Sequence, residues 1–266
     1  MVVDSSFFSG VPAEETTRTF NPNDGATIVL AWDSITHQAL YTQYIEDFFF
    51  TRYPDRKIRF HNAGVAVDSA SDLLARFDDD VAAYRPDYVT ILLGMNDGRY
   101  EDFNAETFNT FKSSMGKLFD RVQETGAKLI VLSPTMFDHA VTRQRRDDQT
   151  WRFRNKTFSP DYNALMAFFG GWTLEESRRR GNSFVNLWAP LNTLTEQGRR
   201  EDPAFTLIGD AIHPQASGQV VMAFEILTQL DVDRKQASSI LVTRRGKRWI
   251  GSKGVSDLQV NDSATV

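Results

Sequence analysis

Short apolar runs separated by longer amphipathic stretches organise most of this chain. Five runs, 26–31, 57–61, 88–93, 128–132 and 184–187, stand out, and several are rich in Val, Ile and Leu without strict alternation. That is the pattern of parallel strands buried on both faces. Between the runs, apolar residues recur three and four positions apart. Leu40, Tyr41, Tyr44, Ile45, Phe48 and Phe49 mark a predicted helix over 39–50, and Phe108, Phe111, Met115, Leu118, Phe119 and Val122 share one side of another over 105–125. Ser159-Pro160 reads as an N-cap followed by proline at the first position of a helix over 161–179, which Gly170-Gly171 should weaken midway. Pro214 opens a last helix that runs to Leu230.

Strands alternating with helices imply right-handed crossovers, hence an α/β chain with a parallel sheet and helices on both faces. Three regions follow from the pattern: a polar arm over 1–23, a catalytic-sized α/β domain over 24–232, and a C-terminal part over 233–266. The last is expected to hold a short hairpin, 238–243 paired with 247–252 around Arg245-Gly246, and a polar tail.

Composition narrows the function classes. With 266 residues the chain is long enough for a large core, and 41% hydrophobic with 24% charged residues is ordinary for a soluble globular protein. The net charge of -5 argues against a nucleic-acid partner, and the basic clusters at 143–146, 178–180 and 244–248 read as solvated faces. The absence of cysteine excludes disulfide scaffolds, zinc-thiolate sites and cysteine nucleophiles. No apolar stretch has the length of a membrane span, and the N-terminus lacks the basic-then-apolar layout of a signal peptide. Export and cytoplasmic residence are both compatible with this, and oligomeric state is left open.

Candidate chemistry gathers where the apolar runs end. Ligands of open parallel sheets bind beyond the carboxyl ends of the strands. Asp33-Ser34-Ile35 follows the first run, Asn62-Ala63-Gly64 the second, Gly94-Met95-Asn96-Asp97 the third, and Asp210-Ala211-Ile212-His213 precedes the final helix. A serine at a strand-to-helix turn can act as nucleophile if a base takes its proton. His213 is the candidate base, with Asp210 three residues earlier able to orient its ring; His37, His61 and His139 read as structural or loop residues. The Ser34 N–H, the Gly64 N–H and the Asn96 amide are candidate donors to a developing oxyanion.

These four blocks, spread over roughly 24–231, resemble the SGNH (GDSL-like) hydrolase superfamily. The resemblance implies a flavodoxin-like three-layer α/β/α fold with a five-stranded parallel sheet. It also implies Ser34 as nucleophile, His213 as base, Asp210 as its orienting carboxylate, and Ser34, Gly64 and Asn96 as the oxyanion hole. Short acyl esters are the implied substrates, O-acetyl groups on carbohydrates among them, and neither cofactor nor metal is required. Two positions depart from the family pattern: Trp32 stands where a glycine usually precedes the block-one aspartate, and Val65-Ala66-Val67 lacks a second block-two glycine. Trp32 and Asp97 are the expected substrate contacts, and Trp32 is expected to shape substrate range. Trp151, Phe153, Trp172 and Trp188 are candidate stacking surfaces for sugars. Alternative readings are a lipid-ester hydrolase or thioesterase of the same fold, a non-catalytic glycan-binding module, and a metal-dependent phosphoesterase using Asp33, Asn96, Asp97, Asp210 and His213 as hard ligands.

Overall fold

The computed structural model describes residues 20–144, 158–232, 242–245 and 248–251. Five strands form an all-parallel sheet: β1 (Thr27–Trp32), β2 (Arg59–Asn62), β3 (Tyr88–Leu92), β4 (Lys128–Leu132) and β5 (Ser183–Val185), in the order β2-β1-β3-β4-β5. The helices are α1 (Ser34–His37), α2 (Leu40–Arg52), α3 (Ala70–Asp80), α4 (Ala105–Thr125), α5 (His139–Gln144), α6 (Tyr162–Arg180), α7 (Trp188–Glu201) and α8 (Ala216–Gln229). This is the flavodoxin-like three-layer arrangement expected from the strand–helix pattern and the resemblance.

Strand order assigns the helices to layers. β2 lies on one side of β1, and the chain then crosses back over β1 to β3 and onward to β4 and β5. Right-handed crossovers therefore put α2 on one face of the sheet and α3 and α4 on the other. The packing agrees: α2 lies against α8, and α3 against α4. Every residue of β1 and β3 is buried, which is why these strands read as unbroken apolar runs. All six apolar residues expected along α4 are buried.

Register brings the strand ends level. Leu30 pairs with Asn62, Trp32 with Leu92, Leu92 with Leu132, and Leu132 with Val185. The loops after β1, β2, β3 and β4 consequently leave from one edge.

Some boundaries differ from the apolar pattern. The run 184–187 ends as strand at Val185, because the N–H groups of Leu187 and Trp188 turn to the Ser133 hydroxyl at 2.8 and 3.0 Å. Helix α6 passes through Gly170-Gly171 unbroken. Its buried face (Met166, Phe169, Thr173, Leu174, Ser177) offsets the roughly 1 kcal/mol that each helical glycine costs. A separate antiparallel pair, β6 (Val242–Arg245) and β7 (Arg248–Gly251), sets Arg245 opposite Arg248; residues 238–241 and 252 of the hairpin expected there lie outside the described residues. Among the described residues no helix is long and apolar enough to cross a membrane.

Candidate active site

The turn after β1 is built from its own side chains. Asp33 is the N-cap of α1, and its Oδ1 accepts the Ile35 N–H at 2.9 Å, which starts the helical turn at Ser34. Ile35 and Thr36 anchor that turn in the core. Gly64 presses on it from the next strand end: a Cβ at position 64 would lie 2.5 Å from the His37 backbone nitrogen and 2.8 Å from the Thr36 carbonyl carbon. Any side chain there displaces the segment that carries Ser34.

Three residues from two distant parts of the chain meet at this turn. Ser34 Oγ lies 2.8 Å from His213 Nε2, and His213 Nδ1 lies 2.7 Å from Asp210 Oδ2. The other Asp210 oxygen accepts the backbone N–H groups of Ile212 and His213 at 3.0 and 2.7 Å, so one carboxylate holds both the loop and the ring. Burial pushes the Asp210 carboxyl up, but the hydrogen bonds from the ring and backbone of His213 outweigh this and leave it below its ordinary value. An ionised Asp210 keeps the proton on Nδ1, which leaves Nε2 as acceptor for the serine hydroxyl.

The three candidate oxyanion donors stand differently. Among the described residues the Ser34 N–H has no protein acceptor. Asn96 gives one amide hydrogen to the Asp68 carbonyl at 2.9 Å and receives the Tyr100 hydroxyl on Oδ1 at 2.8 Å. Tyr100 thereby fixes which end of the amide is the donor, and the second hydrogen is left over. The Gly64 N–H, expected from sequence to approach a substrate, already donates to Asn62 Oδ1 at 2.9 Å. Asn62 in turn donates to the Thr36 carbonyl at 2.8 Å, so block two clamps block one.

Of the two residues expected to contact substrate, Trp32 lies deeper than that role requires. Trp32 has no exposed surface and stacks on Tyr41 with ring centroids 5.2 Å apart. Tyr41 meets the Thr36 hydroxyl at 2.7 Å, so the indole supports the Ser34 turn from below instead of lining its mouth. The indole N–H is buried without a partner among the described residues. Trp32→Gly should therefore act first on stability, costing about 3–5 kcal/mol as for other buried aromatic truncations. Trp32→Phe keeps the ring and removes the orphaned donor, and should cost far less. Thermal unfolding of the two variants separates these outcomes; equal losses would contradict the core role. Asp97 is half-buried at the edge of a cleft beside Asn96, with its two oxygens on the N–H groups of Ala70 and Gly94 at 2.8 and 2.9 Å.

Asp33 has an uncommon electrostatic position. Its Oδ2 is buried without a partner among the described residues, and burial raises its pKa to about 7 against the opposing pull of the Ile35 N–H and His213. A carboxyl whose folded pKa is raised binds more protons folded than unfolded, so its contribution to stability falls as pH climbs from about 4 to 7. Asp33→Asn retains an N-cap oxygen and removes this slope. Its Tm relative to wild type should rise between pH 5 and pH 8; a difference constant with pH would show that Asp33 is ionised throughout.

Backbone strain concentrates on the same edge. Of seven non-glycine residues with positive φ in the described chain, Ala39, Val67, Arg99, Tyr100 and Ala211 belong to the block loops. Val67, at φ 77, is β-branched and occupies the loop where the family's second glycine is missing. Such conformations cost on the order of 1–3 kcal/mol and persist where surrounding structure imposes them. For Ala211 the imposing partner is visible. Its carbonyl accepts the Asp138 N–H at 2.9 Å, while the buried Asp138 carboxylate takes Arg199 and Thr206, each at 2.5 Å. Asp138 and Arg199 thus hold the Asp210–His213 loop against the loop after β4. Sequence reasoning missed this pair because nothing local marks partners 61 positions apart; it also missed Tyr100, only four positions from Asn96.

The other candidates disperse. His37 Nδ1 bonds the Gly64 carbonyl at 3.2 Å, His61 stacks on Tyr84, and His139 bonds Thr142. Trp188 is buried with its N–H on Asn163, and Trp172 packs against Phe108 and Phe111. Trp151 and Phe153 lie outside the described residues. No group of three or more His, Asp or Glu among the described residues is arranged to hold a metal ion.

Comparison with known proteins bears on the same blocks. The model of the GDSL-like Lipase/Acylhydrolase family matches residues 33–221. An acetylxylan esterase of Geobacillus stearothermophilus is 39% identical over 57 residues, 21% of this chain and 26% of that protein, so the match spans about a quarter of the curated relative. A gut microbial diltiazem-metabolizing enzyme shares 25% identity and a TM-score of 0.69 over 83% of this chain and 49% of its own. The acetylxylan esterase Axe2 of Geobacillus stearothermophilus has the same fold, with a TM-score of 0.64 and 20% identity over 80% of this chain and 98% of its own.

Proposed function

The chain belongs to the GDSL-like lipase/acylhydrolase family, and from that premise we propose that it is a serine esterase that removes short acyl groups, acetyl foremost, from hydroxyl-bearing compounds such as carbohydrates. One observation carries the reading: the relay Ser34–His213–Asp210, closed at 2.8 and 2.7 Å between residues 179 positions apart. His213 Nε2 takes the Ser34 hydroxyl proton as Oγ attacks the ester carbonyl, and Asp210 stabilises the resulting imidazolium. The oxyanion receives the Ser34 N–H and the second amide hydrogen of Asn96. Collapse expels the alcohol, protonated by His213, and leaves an acyl-serine that water hydrolyses by the same route.

Acetylxylan esterases among the similar proteins favour acetyl as the acyl group. Against the lipid-ester alternative, the apolar groove at Phe103, Leu165 and Phe168 includes neither Ser34 nor His213. An ester panel tests the reading: p-nitrophenyl acetate, butyrate and longer chains, acetylated xylo-oligosaccharides, and thioesters, each with Ser34→Ala as control. Acetyl esters should be the best substrates, and a serine-directed organophosphonate should label wild type but not Ser34→Ala. Absence of labelling would favour a non-catalytic binding module, and a preference for long chains would favour the lipid-ester alternative.

A further inference from the structure

The Ser34 N–H and the Asn96 amide sit on different loops, and one side chain from a third element ties those loops together. Arg76 is half-buried on the second turn of α3. Its Nε donates to Asp68 Oδ2 at 2.6 Å, its Nη1 to Asp80 Oδ2 at 2.9 Å and its Nη2 to the Trp32 carbonyl at 3.3 Å. Trp32 is the last residue of β1, directly before the Asp33-Ser34 turn. Asp68 is buried, and its backbone carbonyl accepts the Asn96 amide at 2.9 Å. One guanidinium therefore spans the end of the strand that delivers Ser34 and the residue that orients Asn96.

An ion pair with Asp80 alone would only support α3, since the two are one helical turn apart. The contacts to Trp32 and Asp68 reach outside the helix, and the planar fork of arginine suits several acceptors at once. The segment 65–70 is anchored at both ends without Arg76: the Val65 N–H donates to the Trp32 carbonyl at 2.9 Å and the Ala70 N–H to Asp97 at 2.8 Å. Between those anchors lie Val67, at φ 77, and Asp68 with its contact to Asn96. Burial pushes the Asp68 carboxyl up, and the Arg76 guanidinium is the counter-charge that opposes this. We propose that Arg76 is a positioning residue for the oxyanion hole, setting the Asn96 amide against the Ser34 turn by way of Asp68; the inference rests on the esterase reading above.

A double-mutant cycle with Asn96 tests it, read on p-nitrophenyl acetate with Tm measured alongside. Arg76→Gln should lower kcat about tenfold with little change in KM, since a misplaced oxyanion donor is felt in the transition state. In the Asn96→Ala background the same change should lower kcat by less than about twofold, because the amide that Arg76 places is already gone. Arg76→Lys keeps a charge beside Asp68 but lacks the fork, and should give the same pattern with a loss of about threefold. It carries the test if Arg76→Gln does not fold. A purely structural Arg76 would lower Tm alone, or lower kcat by the same factor in both backgrounds, and either result overturns the inference. Full activity in Asn96→Ala, with Ser34→Ala inactive, overturns it too and leaves the esterase reading standing. A wild type without esterase activity overturns that reading and the inference together.

Discussion

Replacing Ser34 by alanine, or His213 by alanine, is expected to remove nearly all ester hydrolysis, a fall of roughly 10⁴-fold or more in kcat as for members of other serine triads. The two losses should be about equal and should not add in the double variant, because the hydroxyl and the imidazole act as one unit in the proton transfer. Neither change should unfold the protein. Ser34 and His213 are both half-buried at the edge of the sheet, and the turn that carries the serine is held by Asp33, Ile35, Thr36 and Gly64 instead. Steady-state kinetics on p-nitrophenyl acetate with parallel thermal unfolding checks both halves. His213→Ala with full activity would remove the relay assignment. Unfolding of Ser34→Ala would show that the serine is part of the turn's architecture.

Asn96→Ala should lower kcat roughly 10²–10³-fold with a small change in KM, because an oxyanion donor acts mainly in the transition state. A second effect accompanies it. The buried Tyr100 hydroxyl loses its Asn96 acceptor, and the Asp68 carbonyl loses its donor, at about 1–3 kcal/mol for each buried group left unsatisfied. Asn96→Asp separates the two. A carboxylate still accepts from Tyr100 but leaves the Asp68 carbonyl without its donor, so only the Tyr100 share of the stability should return; it has no hydrogen to offer an oxyanion and its charge opposes the intermediate. Activity should therefore stay at or below the Asn96→Ala level in Asn96→Asp while Tm recovers in part. Recovery of both would leave Asn96 with only a structural role.

Much of the architecture was legible from periodicity. The sheet is buried on both faces, so its strands read as uninterrupted apolar runs, and the buried side of α4 is visible in its three-and-four spacing. The residues of the relay were legible for a different reason. A strand-end serine and an Asp-x-x-His loop have few other uses in combination, and the parallel topology leaves their loops on one edge.

Other expectations were altered by packing. Trp32 was expected to contact substrate because a sequence shows that a side chain is large and next to Ser34, not which way its strand faces it. The register of β1 with β3 and the position of α2 turn it inward against Tyr41. The Gly64 N–H looked available, yet the Asn62 side chain two residues earlier takes it once the Thr36 carbonyl, from the preceding turn, holds the other end of the Asn62 amide.

The chain's order of apolar runs, helical periodicities and four short blocks was enough to give the fold class and to single out Ser34, Asp210 and His213 as candidates, since both depend on patterns local in sequence. Tertiary structure alone decided that Ser34, His213 and Asp210 meet, that Trp32 is buried, and that Asp138 and Arg199 brace the histidine loop. Those outcomes depend on hydrogen bonds and contacts between segments far apart along the chain, and such partners become visible only once folding has brought them within about 3 Å.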